Sequence, residues 1–119
     1  MARTKSPYYW IADPLLEQPS LIEKVMFGCD AFYLHGRLML VLTPGREEPW
    51  KGVLLPTYKE SHAALMGELP ELVPHPILGK WLYLSEAAEC FDEATETMVK
   101  RILRNDRQIG VEPKLKTRR

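Results

Sequence analysis

Apolar and polar positions change rhythm several times along this chain. Between Val25 and Leu42, the short runs VMF, AFYL and LMLVL are cut by Gly28-Cys29-Asp30 and by His35-Gly36-Arg37. Aromatic and aliphatic runs separated by turn residues predict a β-meander over 25–42, with Gly36 supplying the φ > 0 tip of a tight hairpin. After the polar loop TPGREEPWK, GVLLP predicts a fourth strand over 52–56 that Pro56 closes, and WLYL a fifth over 81–84.

Elsewhere the period is helical. Asp13 as N-cap and Pro14 at the first helical position open one or two short helices over 13–24, interrupted at Pro19. The preceding YYWI is expected to pack over the edge of the core. In TYKESHAALMGEL, Thr57 and Glu60 form a capping box, while Tyr58, His62, Leu65, Met66 and Leu69 share a face, predicting a helix over 57–69 that stops at Pro70. Pro70, Pro74 and Pro76 make the next segment an extended return. The principal helix is expected over 86–104, capped by Ser85 and closed by Asn105, burying Phe91, Ala94, Met98 and Ile102 with Thr95, Val99 and Leu103 beside them.

The elements add up to an α+β fold, a mainly antiparallel sheet of about five strands flanked by helices. With 119 residues, 45% hydrophobic and 27% charged, one domain is expected over 1–112, followed by a basic tail over 113–119 that frays. No apolar run approaches the roughly 20 residues that cross a bilayer, and MARTKSPYYWIADP has no apolar core with a cleavage site, so the chain reads as cytoplasmic and off the membrane. Cys29 and Cys90 then read as reduced thiols.

The formal net charge of zero hides an asymmetry. Residues 1–99 hold 8 Lys or Arg against 14 Asp or Glu, and residues 100–119 hold 8 against 2. Part of this is helix design: acids open the last helix, bases close it, and Glu96 and Lys100 stand at i,i+4. The remainder, Lys114, Lys116, Arg118 and Arg119, could touch phosphates. A short basic end without interleaved aromatics or a recognition helix carries little support for a nucleic-acid function.

No catalytic motif stands out. Cys29, Cys90, His35, His62 and His75 lack metal-ligand spacing, and no phosphate loop or nucleophile elbow occurs, so no metal, cofactor or catalytic residue is assigned. Asp30 beside Cys29 opposes thiolate formation. A small-ligand-binding protein or enzyme with a pocket near Cys29, Tyr33 and His62 remains an alternative. The tryptophans point to binding: Trp50 and Trp81, with Lys51 and Lys80 beside them, form a candidate interaction surface if their strands are neighbours, against the simpler reading that each indole plugs one end of the core.

The segment KVMFGCDAFYLHGRLMLVL, followed by a strand, a helix, a proline-rich return, a strand and a long helix, resembles the TfoX/Sxy N-terminal domain family. Met26, Phe27, Gly28 and Gly36 match its Met-Phe-Gly-Gly turn and glycine hairpin, whereas Cys29 replaces the second glycine and Ala31 stands where glycine is common. The resemblance covers residues 20–105. It implies a compact α+β domain without established catalytic residues, from proteins that regulate competence through transcription and carry a further C-terminal helical domain, here expected to be missing. The expectation is a non-enzymatic bacterial regulatory or accessory module acting through another protein or through self-association.

Overall fold

The structure, a computed structural model, describes residues 5–112. Six strands, β1 (Ile22–Met26), β2 (Cys29–Leu34), β3 (Arg37–Leu42), β4 (Gly52–Leu55), β5 (Val73–Pro74) and β6 (Leu82–Ser85), form one antiparallel sheet in the order β1-β2-β3-β4-β6-β5. Two α-helices, α1 (His62–Glu68) and α2 (Phe91–Leu103), and a 3-10 segment (Tyr9–Leu15) accompany it. The α+β class and antiparallel sheet read from the sequence hold. No helix among the described residues is long and apolar enough to cross a membrane.

All buried apolar residues of the helical elements belong to one core with Phe32, Leu34, Met39, Leu40, Leu42, Val53, Leu55, Leu82 and Leu84. The alternate strand residues Cys29, Ala31, Leu38, Val41, Leu54 and Tyr83 face the other way and form a second apolar cluster to which no α-helical residue contributes. This difference between the two faces positions the candidate site. A β-bulge interrupts the alternation: Phe32 pairs with Leu40 and Tyr33 with Leu38, so Met39 is extra, and both Met39 and Leu40 turn to the helix-covered core.

Several boundaries move. The helix expected over 13–24 is instead the 3-10 segment, with Asp13 and Pro14 inside it, and the chain is already extended by Ile22. An edge strand exposed on both faces lacks the alternation that would announce it. The capping box of Thr57 does not form; Thr57 Oγ1 donates to the Gln108 carbonyl at 2.6 Å, and a 3-10 turn (Lys59–Ser61) precedes α1. Ser85 does not cap α2 but ends β6, its hydroxyl donating to Glu48 at 2.6 Å, and α2 begins at Phe91. The proline-rich return contributes β5, giving six strands.

The apolar stripe of α2 is largely as read, with Phe91, Ala94, Thr95, Met98, Val99 and Ile102 buried and Leu103 only partly so. Asn105 takes φ +60° after it; its N–H bonds the Ile102 carbonyl and the Asp106 N–H bonds that of Arg101, the paired bonds of a Schellman ending. Beyond it, residues 108–112 form more structure than their sparse apolar content suggested. Ile109 is fully buried, Gly110 N–H donates to Pro56, and Val111 bridges Leu38 where β3 and β4 have parted. Lys114, Lys116, Arg118 and Arg119 lie outside the described residues.

Candidate interaction site on the uncovered sheet face

The site begins at the turn Met26-Phe27-Gly28-Cys29, which joins β1 to β2. Phe27 has φ +54° and Gly28 φ +74°, the pair of positive values that a tight two-residue hairpin turn demands. Asn or Gly fills the first position at little cost; a bulky L-residue there is held at about 1 kcal/mol or more. Phe27 gains little burial in return, since it is 65% exposed. Cys29 beside it is fully buried as the first residue of β2, so the break lies one residue earlier than the Gly-Cys-Asp pattern indicated.

Phe27 stands at a cleft of about 970 Å³ on the sheet face that no helix covers. Met26, Tyr33, Tyr58 and Trp81 give it apolar and aromatic walls. Lys24, Lys59 and Lys80 line it with Glu60 and Glu112, and none of these five is in an ion pair among the described residues. The Lys24 ammonium sits 5.4 Å from the Tyr33 ring centroid. Backbone contacts set the walls: His62 Nε2 lies 2.9 Å from the Lys80 carbonyl, and the Glu112 N–H donates to the Tyr58 hydroxyl at 3.0 Å.

The proposed quartet of Trp50, Lys51, Lys80 and Trp81 divides into two pairs. β4 and β6 are neighbours, as the shared-surface reading required, but they run antiparallel, with Gly52 opposite Ser85 and Leu55 opposite Leu82. The tryptophan ahead of each strand therefore sits at an opposite end of the ladder. Both indoles are partly buried against the same apolar cluster, but only Trp81 and Lys80 line the cleft.

Trp50 and Lys51 sit in a dense polar network. The Trp50 ring lies 4.6 Å from that of His75, whose Nδ1 accepts from the N–H groups of Ile77 and Leu78 at 3.2 and 3.0 Å. That assigns the ring proton to Nε2, which donates to the Pro49 carbonyl at 2.8 Å. Glu48 accepts from Tyr83 and Ser85, and the Lys51 ammonium is 3.5 Å from Glu86, which also accepts from Tyr8 at 2.6 Å. Burial, then the bond to its carboxylate, raises the phenol pKa of Tyr8 and of Tyr83, while the Tyr8 hydroxyl holds Glu86 below its ordinary value. His75, Glu48, Lys51, Tyr8 and Tyr83 all have structural partners in this network, and none of them lines the cleft.

The alternative set, Cys29, Tyr33 and His62, is only partly assembled. Tyr33 lines the cleft and His62 holds its Lys80 edge, whereas Cys29 lies beneath the surface with its thiol 3.6 Å from the Phe27 carbonyl. The second thiol, Cys90, is exposed; desolvation first, then Glu71, Glu93 and Glu89, push it up, away from a reactive thiolate. His35 Nε2 lies 3.1 Å from the Ile102 carbonyl and ties the β2–β3 hairpin to α2. Among the described residues no group of three His, Cys, Asp or Glu is placed to hold a metal ion.

Residue patterns missed Phe27 and Tyr58 as site residues. The available signal was an aromatic directly before the glycine of a two-residue turn, a position that punishes bulky side chains. In the YYWI arm, Tyr8 and Ile11 pack into the core as expected, while Trp10 is 50% exposed over a separate groove of about 560 Å³ beside α2. Compared with protein-family models, curated proteins and solved structures, the chain matches none.

Proposed function

We propose that the chain is a non-catalytic interaction module whose uncovered sheet face takes a polypeptide segment, in a regulatory or accessory role of the kind the TfoX-like resemblance implies. The observation that carries this reading is Phe27. A large aromatic in a left-handed turn position, largely exposed at the mouth of an aromatic-walled cleft, costs the isolated fold stability and returns little packing. Strain of that kind is retained where binding repays it. The three lysines, none of them in an ion pair among the described residues, against two glutamates favour a segment with apolar anchors and acidic flanks.

Phe27→Asn separates the two roles. Asn before Gly is the favoured pair for this turn, so the variant is expected to gain about 1 kcal/mol in urea denaturation. Peptides selected on the native chain from a displayed random library are expected to bind the variant at least tenfold more weakly, a loss of about 1.4 kcal/mol. Equal binding, or a destabilised variant, would remove the support from Phe27. Selection of no peptide, with tight binding of single-stranded oligonucleotides at the same aromatics, would replace the polypeptide reading with a nucleic-acid one.

A further inference from the structure

The two edges of the sheet are treated differently. β5, at one edge, has two residues, one of them Pro74, and stands between Pro70 and Pro76, which is how natural sheets blunt an edge. β1, at the other, has five residues and no proline. Ile22, Glu23, Lys24 and Val25 are all exposed, with Ile22 at 54% and Val25 at 56%. A two-residue hairpin closes on a hydrogen-bonded pair, here Met26 and Cys29. The alternation of an antiparallel ladder then turns the N–H and C=O groups of Val25 and Glu23 away from β2, toward the open side.

From this edge we infer that the partner segment docks as an added antiparallel strand on β1, which rests on the polypeptide-binding reading and specifies the partner's conformation and sequence pattern. A second copy of the chain is the poorer occupant. Two-fold pairing of β1 with itself must set residues of one face opposite each other: the one register that overlaps all five residues places Lys24 against Lys24, and of the two that overlap three, one places Glu23 against Glu23 and the other, Val25 against Val25, runs out into the Phe27-Gly28 turn. Like charges directly across a ladder are destabilising. A heterologous segment has no such restriction. Charge and apolar complementarity to Ile22-Glu23-Lys24-Val25 ask, in the partner's own direction, for apolar, acidic, basic, apolar.

The test uses the full chain and a synthetic peptide with Val-Glu-Lys-Val at its centre, with binding read by isothermal titration or fluorescence anisotropy. Val25→Pro deletes one outward N–H without touching a β1–β2 bond, and proline is accepted at such an edge position, so circular dichroism is expected to be unchanged. The peptide is expected to bind the native chain and Val25→Thr, and to lose at least tenfold on Val25→Pro. N-methylation of the peptide residues opposite Glu23 and Val25 is expected to abolish binding, and the centre Val-Lys-Lys-Val to weaken it.

Undiminished binding to Val25→Pro, equal binding of the N-methylated peptide, or no binding to the native chain would overturn the inference. So would a concentration-dependent dimer in sedimentation that Val25→Pro dissolves, because the occupant would then be a second copy. Library-selected peptides distinguish this idea from the cleft reading. If Phe27→Asn weakens them and Val25→Pro does not, the cleft stands and strand addition falls; the reverse pattern retains strand addition and removes the cleft.

Discussion

Gly52→Ala is expected to cost at least about 4 kcal/mol, enough to leave much of the chain unfolded given the marginal stability of a domain this size. A Cβ at Gly52 would lie 2.0 Å from the Leu84 carbonyl oxygen and 3.0 Å from the Leu84 carbonyl carbon and Ser85 Cα, all backbone atoms of the neighbouring strand β6. Retreat is blocked on the other side, where Thr43 Oγ1 donates to the Gly52 carbonyl at 2.8 Å and accepts from its N–H at 2.9 Å. Gly67, in α1, is the control: nothing beyond its chain neighbours and the backbone of its own helix lies within 4 Å of its added Cβ, and Gly67→Ala is expected to gain up to about 1 kcal/mol. Urea denaturation of the two variants reads both signs. A mild effect of Gly52→Ala would mean that β4 and β6 do not approach as described.

His75→Ala is expected to cost about 3 kcal/mol. The imidazole is 1% exposed and joins three backbone groups, the N–H groups of Ile77 and Leu78 and the carbonyl of Pro49, while its ring lies between Trp50 and Tyr83 at 4.6 and 5.2 Å. Truncation loses these bonds and opens a cavity. His75→Asn places an amide oxygen where Nδ1 accepts, so it should recover about 1 kcal/mol of the loss. The His75 N–H also donates to the Trp81 carbonyl at 2.9 Å, a backbone bond that the substitution leaves in place. Trp50 emission is expected to shift to the red, while peptide binding at the Phe27 cleft persists in conditions where the variant is folded. Loss of peptide binding by folded His75→Asn would indicate that the two ends of the β4–β6 ladder belong to one site after all.

The extent to which this molecule could be read from its residues follows from how much each element depends on its neighbours. α2 was legible because one face is buried and the other solvated, so its stripe from Phe91 to Ile102 carries the helical period. The hairpin at His35-Gly36 was legible because its turn states its own backbone requirement, φ +58° and +78°. β1 was legible only in its last two residues, Val25 and Met26, since a strand exposed on both faces has no alternation and its pairing with β2 is the reason the rest is extended. The same holds for residues 108–112, whose order comes from Leu38, Pro56 and Thr57, all distant in sequence.

The candidate site was half legible for the same reason. Trp81 and Lys80 were singled out and do line the cleft; Trp50 and Lys51 were grouped with them because both tryptophans precede strands that pair. Strand direction separates them, and nothing in either local segment encodes that direction. Phe27 was read as part of a fold signature. Its backbone conformation, not its residue type, turns it from a packing residue into an exposed anchor.

The chain's three tryptophans give the most direct test of a binding surface at the Phe27 cleft, because they mark three different places: Trp81 lines the cleft, Trp50 stands beside His75, and Trp10 overlooks the groove beside α2. In a proton–nitrogen NMR titration with a library-selected peptide, the indole signal of Trp81 is expected to move with the bound fraction while those of Trp50 and Trp10 stay in place. Movement of Trp50 or Trp10 with Trp81 unchanged would contradict the account.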